Sequence, residues 1–358
     1  MIDRADHDGS TAGQAGLAEN AEAVPLVTVL IPALHEEADI AGCIDAIGAQ
    51  DHPIDRIELI LVDGCSQDAT VAAFQDAASR YPFGSVVVLP SPRRRTSISL
   101  NVGLAEATGT YLVRVDARAR VAEQYVRRCV EILAAEPEIG VVGGAQHPRP
   151  RSSRLADRGI ARALDNRLAT GLSRYRRSTR SGPADTVWMG SFRTADLREL
   201  GGWSEDVALN EDWDLNDRFR TSGRTVWFAS DLSSGYLPRT SYPLLAKQYF
   251  VFGRVKGMWW VRGTRPNARQ AGLVAVPVVG AVAVGALIRR FGVLAALAVP
   301  AGYLLVESAG ATDQGGPAER GASAAAIAVF TTSWWVGVIV GAIGELFGVE
   351  HRHRSAPG

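Results

Sequence analysis

From residue 26 onward the apolar positions fall into short runs, separated by stretches with helical period. Residues 27–31 are almost continuously apolar and read as a buried strand. Residues 38–49 put Ile40, Ile44 and Ile47 on one helical face. Further strands are predicted at 57–62, 86–89, 111–115 and 140–143, and helices at 69–78, 97–107 and 123–135. Such alternation builds a mostly parallel, doubly wound α/β sheet, in which ligands bind beyond the carboxyl ends of the strands. No internal repeat is visible.

The pattern changes in the last third. Residues 271–288 form an unbroken apolar or small run near the minimum length for a spanning helix, and 291–306 and 322–343 are two more. Two or three transmembrane passes are predicted. Lys247, Arg254, Lys256, Arg262, Arg265 and Arg269 precede the first run and place that side in the cytoplasm. Arg289-Arg290 and the tail His351-Arg352-His353-Arg354 do not fit a simple three-pass topology. Tyr249, Phe250, Phe252, Met258, Trp259 and Trp260, interleaved with basic residues, predict an interfacial amphipathic helix; a helix packed on the domain fits the same pattern. The expected organisation is a disordered tail (1–24), a catalytic domain (25–240), an interfacial helix and linker (241–270), transmembrane segments (271–346) and a tail (347–358).

Composition narrows this picture. The 358 residues suit one enzyme domain with an appendage. Lysine and arginine number 38, as do aspartate and glutamate, so no nucleic-acid partner is expected. Three scattered cysteines make neither a disulfide framework nor a zinc site, and fit a reducing compartment. Residues 1–24 lack the apolar segment of a signal peptide. Arginines clustered over 149–180 suit anionic lipid or a lipid-linked pyrophosphate, and equally a solvated helical face.

The candidate chemistry sits at the strand ends. Strand one ends at Pro32 and leads to His35-Glu36-Glu37. Strand two leads to Asp63-Gly64-Cys65-Ser66-Gln67-Asp68-Ala69-Thr70, where Asp63 can accept from a nucleobase and Gly64 lets the backbone turn close to a ligand. A plain Asp-Gly turn, with Asp68 or Thr70 capping the next helix, is the alternative. Asp116 ends an apolar strand, where a carboxylate must be paired or metal-bound. It can hold Mg²⁺ or Mn²⁺ together with substrate phosphates, or pair with Arg114 or Arg118. Asn210-Glu211-Asp212 opens a helical run over 212–221. Two such carboxylate sites suggest a sugar-nucleotide transferase, one holding the donor diphosphate and the other deprotonating the acceptor. A favourable helix dipole also accounts for the acidic pair. No Gly-x-Gly-x-x-Gly follows the first strand, which sets aside a dinucleotide dehydrogenase.

Together these segments resemble family 2 glycosyltransferases of the GT-A fold. The resemblance rests on 29–36, on the turn from Val62 to Thr70, on Asn101-Val102-Gly103 through Gly109, and on Asn210-Glu211-Asp212. The succinoglycan-type, ExoA-like subgroup is suggested by Arg114-Val115-Asp116-Ala117, by 210–216 and by Gln248-Tyr249-Phe250 with Gly253-Arg254. The resemblance implies an inverting enzyme that moves one sugar from a nucleotide donor, UDP-sugar favoured, to a lipid-linked acceptor in polysaccharide or glycolipid synthesis. It implies a multi-pass protein of the inner membrane with a cytoplasmic catalytic domain. It implies Asp212 as base with Glu211 beside it, donor contacts from Pro32, Glu36, Asp63, Asp116, Gln248 and Arg254, and Asp116 as metal ligand. It also implies an acceptor-side loop at Trp188-Met189-Gly190-Ser191, where a core aromatic is the alternative. Three departures stand out. The Asp-x-Asp metal motif is here Asp116-Ala117-Arg118, His35 replaces Asn, and the Gln-x-x-Arg-Trp signature of processive synthases is absent. The missing second carboxylate keeps a non-catalytic, membrane-anchored nucleotide-sugar binding protein as the rival reading.

Overall fold

The computed structural model describes residues 24–170, 179–206, 210–263, 298–311 and 315–347, with 282, 285–286 and 288–290. Among them β1 (Val27–Ala33), β2 (Ile57–Asp63), β3 (Ser85–Pro90) and β4 (Tyr111–Arg114) pair in parallel in the order β3-β2-β1-β4. The apolar runs of β1, β2 and β4 are largely buried because helices α1 (Ile40–Gly48), α2 (Thr70–Ala78) and α3 (Thr96–Glu106) cover the sheet, whereas the edge strand β3 is partly exposed. The order reverses between β1 and β4, so the crevice at their carboxyl ends is the topological switch point.

The second half departs from simple alternation. After β5 (Ala119–Val121), α4 (Tyr125–Ala135), β6 (Ile139–Pro148), α5 (Leu155–Asp165) and β7 (Gly182–Pro183), the strand β8 (Trp188–Arg193) enters antiparallel between β4 and β6. The sheet continues through β9 (Thr225–Tyr236), which pairs in parallel with β6 and antiparallel with β5. The segment expected as an acceptor-side loop at 188–191 is therefore a central strand, because its alternate side chains pack into both layers of the core. Helices α6 (Thr194–Glu199) and α7 (Glu211–Thr221) link β8 to β9.

Beyond the sheet, α8 (Tyr242–Val261) lies along the long α10 (Pro317–Leu346), with α9 (Ala298–Gly310) beside it. A Cβ on Gly253 would stand 2.0 Å from the Trp334 carbonyl oxygen, and one on Gly257 2.1 Å from that of Val338. Reciprocally, a Cβ on Gly337 would run into the Phe250 carbonyl oxygen and one on Gly341 into that of Arg254. Two Gly-x-x-x-Gly pairs thus let the backbones touch, the packing device of helices in lipid. Arg262 closes the seam with a two-bonded grip on Glu345, both bonds 2.8 Å.

Among the described residues α10 is the one helix long and apolar enough to cross a membrane. It contains the predicted run 322–343, whereas most of 271–288 lies outside the described residues, as do 291–297 of the run 291–306, whose remainder lies in α9. The N-terminal half of α10 packs on α5 and α8 through Ala326, Ile327 and Phe330. Its C-terminal half leaves Ile339 (54%), Ile343 (50%) and Leu346 (69%) exposed. Three of the arginines expected to face lipid or solvent pair with carboxylates: Arg151 with Asp39, the exposed Arg158 with Glu319, and Arg162 with the buried Glu307 of α9 at 2.6 Å. A buried arginine needs such a partner.

The seam yields a stability prediction. Gly257→Val should destabilise the purified protein by about 1–3 kcal/mol through overpacking. Gly321→Ala, where a Cβ meets nothing within 4 Å, should not. Thermal unfolding in detergent compares the two.

Candidate active site

The site is organised by an arginine. Arg114 is the last residue of β4, on an apolar strand that carries it into the core, 4% exposed. Its Nε donates to Asp116 Oδ1 at 2.9 Å, Nη1 to Asp212 Oδ1 at 2.5 Å and Nη2 to Glu211 Oε1 at 3.1 Å. The planar five-donor guanidinium is the side chain that can serve three carboxylates from one buried point. Asp116, at the end of the first sheet half, and Glu211-Asp212, at the start of α7, become one site. The ion pair considered for Asp116 is thus present, and the same arginine brings the two predicted carboxylate sites together.

Three carboxylates around one guanidinium leave a formal excess of two negative charges. Burial raises the Asp212 pKa to about 7, with Arg114 pulling it down and the charges of Glu211 and Asp116 pushing it up. An ordinary aspartate titrates near 3.9. Oδ1 of Asp212 is held by Arg114, while Oδ2 makes no hydrogen bond among the described residues. The group is therefore both oriented and basic at neutral pH, as a general base must be. The first turn of α7 also carries Glu211, Asp212 and Asp214, a favourable placement at a helix N-terminus.

Asp116 is fixed from a second side. Trp188 Nε1 of β8 donates to its Oδ2 at 3.2 Å, and the Trp188 ring meets Tyr236 of β9 edge-on at 5.9 Å. No cluster of three His, Cys, Asp or Glu side chains able to hold a metal occurs among the described residues. Asp116 still fits a divalent cation as a single carboxylate, because each oxygen keeps a lone pair and the cluster has negative charge to neutralise.

The turn after β2 adjoins β1. Ser66 N–H donates to Asp63 Oδ2 at 3.0 Å, while Asp63 Oδ1 is buried with no partner. A buried unpaired carboxylate oxygen is costly unless a ligand donor completes it. Asp68 Oδ1 accepts from the Thr70 N–H at 3.1 Å, a local turn bond of the kind the plain-turn alternative describes, while the N-cap of α2 is Ala69 and carries no side-chain cap. Gly64 keeps ordinary backbone; the left-handed residue is Cys65, at φ 65°. His35 accepts from Gln67 N–H at 3.3 Å and donates its own N–H to Ser66 Oγ at 2.9 Å, tying the two loops together. Pro32 lies beyond the register with β4, so its missing N–H breaks no bond with that strand. Glu36 faces Arg118 at 3.3 Å; burial raises its pKa and Arg118 opposes the rise.

All four non-glycine residues with positive φ among the described residues flank this crevice: His35, Cys65, Met189 and Asn210. Such strain, of order 1–3 kcal/mol each, collects at functional sites. Gln248 and Arg254 lie on α8, which reaches α7 through Lys256, 5.3 Å from the Trp213 ring, and through Trp259, 6.1 Å from it. Sequence reasoning missed Arg114 as the hub and Tyr236 and Arg239 altogether, and it named Trp188 only as part of an acceptor-side loop or as a core aromatic. The available signal for Arg114 was a charge inside Tyr-Leu-Val-Arg-Val, since a buried arginine is almost never unpaired.

Residues 28–193 match the family model described as Glycosyl transferase family 2. The chain is similar to the succinoglycan biosynthesis protein ExoA of Rhizobium meliloti, 28% identical over 228 residues, 63% of this chain and 67% of that protein. It is similar to the dolichyl N-acetyl-alpha-D-glucosaminyl phosphate 3-beta-D-2,3-diacetamido-2,3-dideoxy-beta-D-glucuronosyltransferase of Methanococcus voltae, 22% identical over 242 residues, 66% of this chain and 74% of that one. In fold it is similar to the mannosyltransferase PcManGT from Pyrobaculum calidifontis, solved with GDP-Man and Mn²⁺. The TM-score is 0.60 at 22% identity, covering 91% of this chain and 88% of that one.

The raised Asp212 pKa has a consequence for stability. A carboxylate whose folded pKa lies above its unfolded value favours the folded state at low pH, and this advantage is lost as pH rises to about 7. Asp212→Asn should therefore gain thermal stability relative to wild type on going from pH 4.5 to pH 8. A melting-temperature difference that stays constant across that range would contradict the assignment.

Proposed function

Since residues 28–193 form a family 2 glycosyl transferase domain and the chain is a glycosyltransferase, we propose that it transfers one sugar, with inversion, from a nucleotide-sugar donor to a lipid-linked acceptor at a membrane surface. The observation that carries this reading is Arg114 joining the strand-end Asp116 to Glu211-Asp212. A protein that only binds nucleotide sugars has no use for a buried, oriented carboxylate whose pKa is near neutrality.

The nucleotide lies across the switch point, with its base against the unpaired Asp63 Oδ1. Uracil offers an N–H for this oxygen, so UDP-sugars are favoured; Pro32 and Glu36 border the same crevice. Asp212 takes the proton from the acceptor hydroxyl. The freed oxygen attacks the anomeric carbon as the bond to the diphosphate breaks, inverting the centre. Arg114 holds Asp212 and Glu211 in place through the step, and fixed charge of this kind is often the largest part of catalysis. Asp116, together with the donor phosphates, would hold Mg²⁺ or Mn²⁺, which would supply positive charge against the departing diphosphate. Gln248 and Arg254 are assigned to phosphate contacts from their place on α8. The bare apolar half of α10 and the aromatic-basic α8 support inner-membrane attachment with the catalytic domain cytoplasmic and an acceptor presented at that surface; more than one pass belongs to this proposal.

Purified protein screened against UDP- and GDP-sugars should hydrolyse or transfer from one of them. Asp212→Asn should lower turnover by roughly 10²–10⁴-fold with donor binding retained; near wild-type transfer by this variant would remove Asp212 as base. In wild type kcat/KM should rise with pH up to about 7, where Asp212 ionises. Asp116→Ala should lose activity, and full turnover in excess EDTA would end the metal assignment. Recovery in the membrane fraction after a carbonate wash tests the attachment.

A further inference from the structure

Beside Asp116 lie arginines whose donors are not all used. Three arginines gather there, Arg118 after β4, Arg151 after β6 and Arg239 after β9, against Glu36 and Asp39. Arg151 forks onto Asp39, with Nη2 to Oδ2 at 2.7 Å, and so occupies that carboxylate. Arg118 reaches Glu36 through Nε alone, at 3.3 Å. Its guanidinium lies 5.7 Å from the Tyr236 ring centre, and its Nη1 is buried without any hydrogen-bond partner. Arg239 is half-buried, and its side chain makes no hydrogen bond or ion pair among the described residues. Arg118 thus keeps a buried donor without a partner, and Arg239 beside it has no ion pair among the described residues.

The electrostatics agree with this geometry. Burial, then the charge of Arg118, lowers the pKa of Arg239. Burial raises that of Glu36, which weakens it as a counter-ion. Buried polar groups without partners are rare, and each calls for an explanation such as a bound ion. The patch is continuous with the site: Tyr236 stands against Trp188, and Trp188 holds Asp116. Arginine is also the side chain best matched to phosphate, through paired N–H donors.

We propose that Arg118 and Arg239 form a diphosphate-binding site beside Asp116, which takes the phosphates of the nucleotide through arginine rather than through a metal alone. The site rests on the glycosyl-transfer reading and adds a ligand contact to it. Donor phosphate and the pyrophosphate of a lipid-linked acceptor offer the same chemistry; the nucleotide is assigned because the patch adjoins the crevice at the switch point.

The test is calorimetric titration of UDP and of GDP into the full-length protein in detergent, first with EDTA and then with Mn²⁺, with uridine and guanosine as controls. Wild type should bind one nucleoside diphosphate in EDTA. Arg239→Gln should weaken that binding by roughly 10–100-fold in both conditions, as expected for hydrogen bonds to a charged group. Nucleoside affinity should be unchanged, and Arg239→Lys should fall between. Arg239 holds no ion pair, so its removal leaves the fold's contacts in place; unchanged nucleoside binding verifies this. The inference is overturned if Arg239→Gln binds the diphosphate as wild type does, if EDTA abolishes wild-type binding, or if the variant changes only the KM of a lipid-pyrophosphate acceptor. Wild-type sugar-nucleotide hydrolysis, measured in parallel, separates the two readings. If hydrolysis persists while Arg239 proves irrelevant, this inference alone falls; if wild type neither binds nor hydrolyses, glycosyl transfer falls with it.

Discussion

The active site depends on one buried guanidinium. Removing Arg114 would leave three carboxylates facing one another in a largely dry crevice, and breaking a buried pair typically costs 3–5 kcal/mol. Lysine cannot stand in, because an ammonium has neither the planar fork nor the reach to meet three acceptors from one strand end. Arg114 also has a topological role. Asp116 belongs to the parallel half of the sheet, while Glu211 and Asp212 arrive on α7 only after β8 has been inserted between β4 and β6. The ion cluster therefore pins the two halves of the domain together at the place where the chemistry is done. Burial first, and then the neighbouring charges of Glu211 and Asp116, make Asp212 a stronger base than a free aspartate.

Around this hub the backbone is held in uncommon conformations. His35 and Cys65 follow β1 and β2, Met189 lies within β8, and Asn210 precedes α7. Each left-handed residue costs on the order of 1 kcal/mol or more. The cost is met by bonds between the loops, such as Gly64 N–H to the Ala33 carbonyl at 2.8 Å and Glu36 N–H to Thr70 Oγ1 at 2.8 Å. The result is a crevice whose floor is set before a ligand arrives, which lowers the ordering cost of binding.

Much of this was legible in the sequence, for identifiable reasons. The strands 27–31, 57–62 and 111–115 announced themselves because parallel strands buried on both faces read as unbroken apolar runs. Asp63, Asp116 and Asp212 were legible because they end such runs or open a helix. β8 and β9 were not. Trp188-Met189-Gly190-Ser191 has a glycine in its middle, and β9 is interrupted by Ser230, Asp231 and Ser233-Ser234, where its register against β6 shifts. What most escaped the sequence was pairing. Arg114, Arg151 and Arg162 looked like surface charge or alternatives to function, and only the fold shows that each faces a carboxylate distant in sequence.

The pairing logic extends to the appended helices. Trp213 follows Asp212 on α7 and meets Lys256 and Trp259 of α8. The glycine seam then fixes α8 to α10 at backbone distance, leaving little room for the two helices to slide. The helix that bears Asp212 is thus in direct contact with the helix bound to α10, whose outer apolar face has no partner among the described residues. For a lipid-linked acceptor this continuity matters. A lipid tail settled in the bilayer would bring its head group to the level of α8, and the contact between Trp213 and Trp259 would hold that level fixed relative to Asp212. Positioning of this kind, more than any new chemical group, is what a membrane-bound acceptor demands, because a misplacement of about 1 Å can cost 10²-fold in rate.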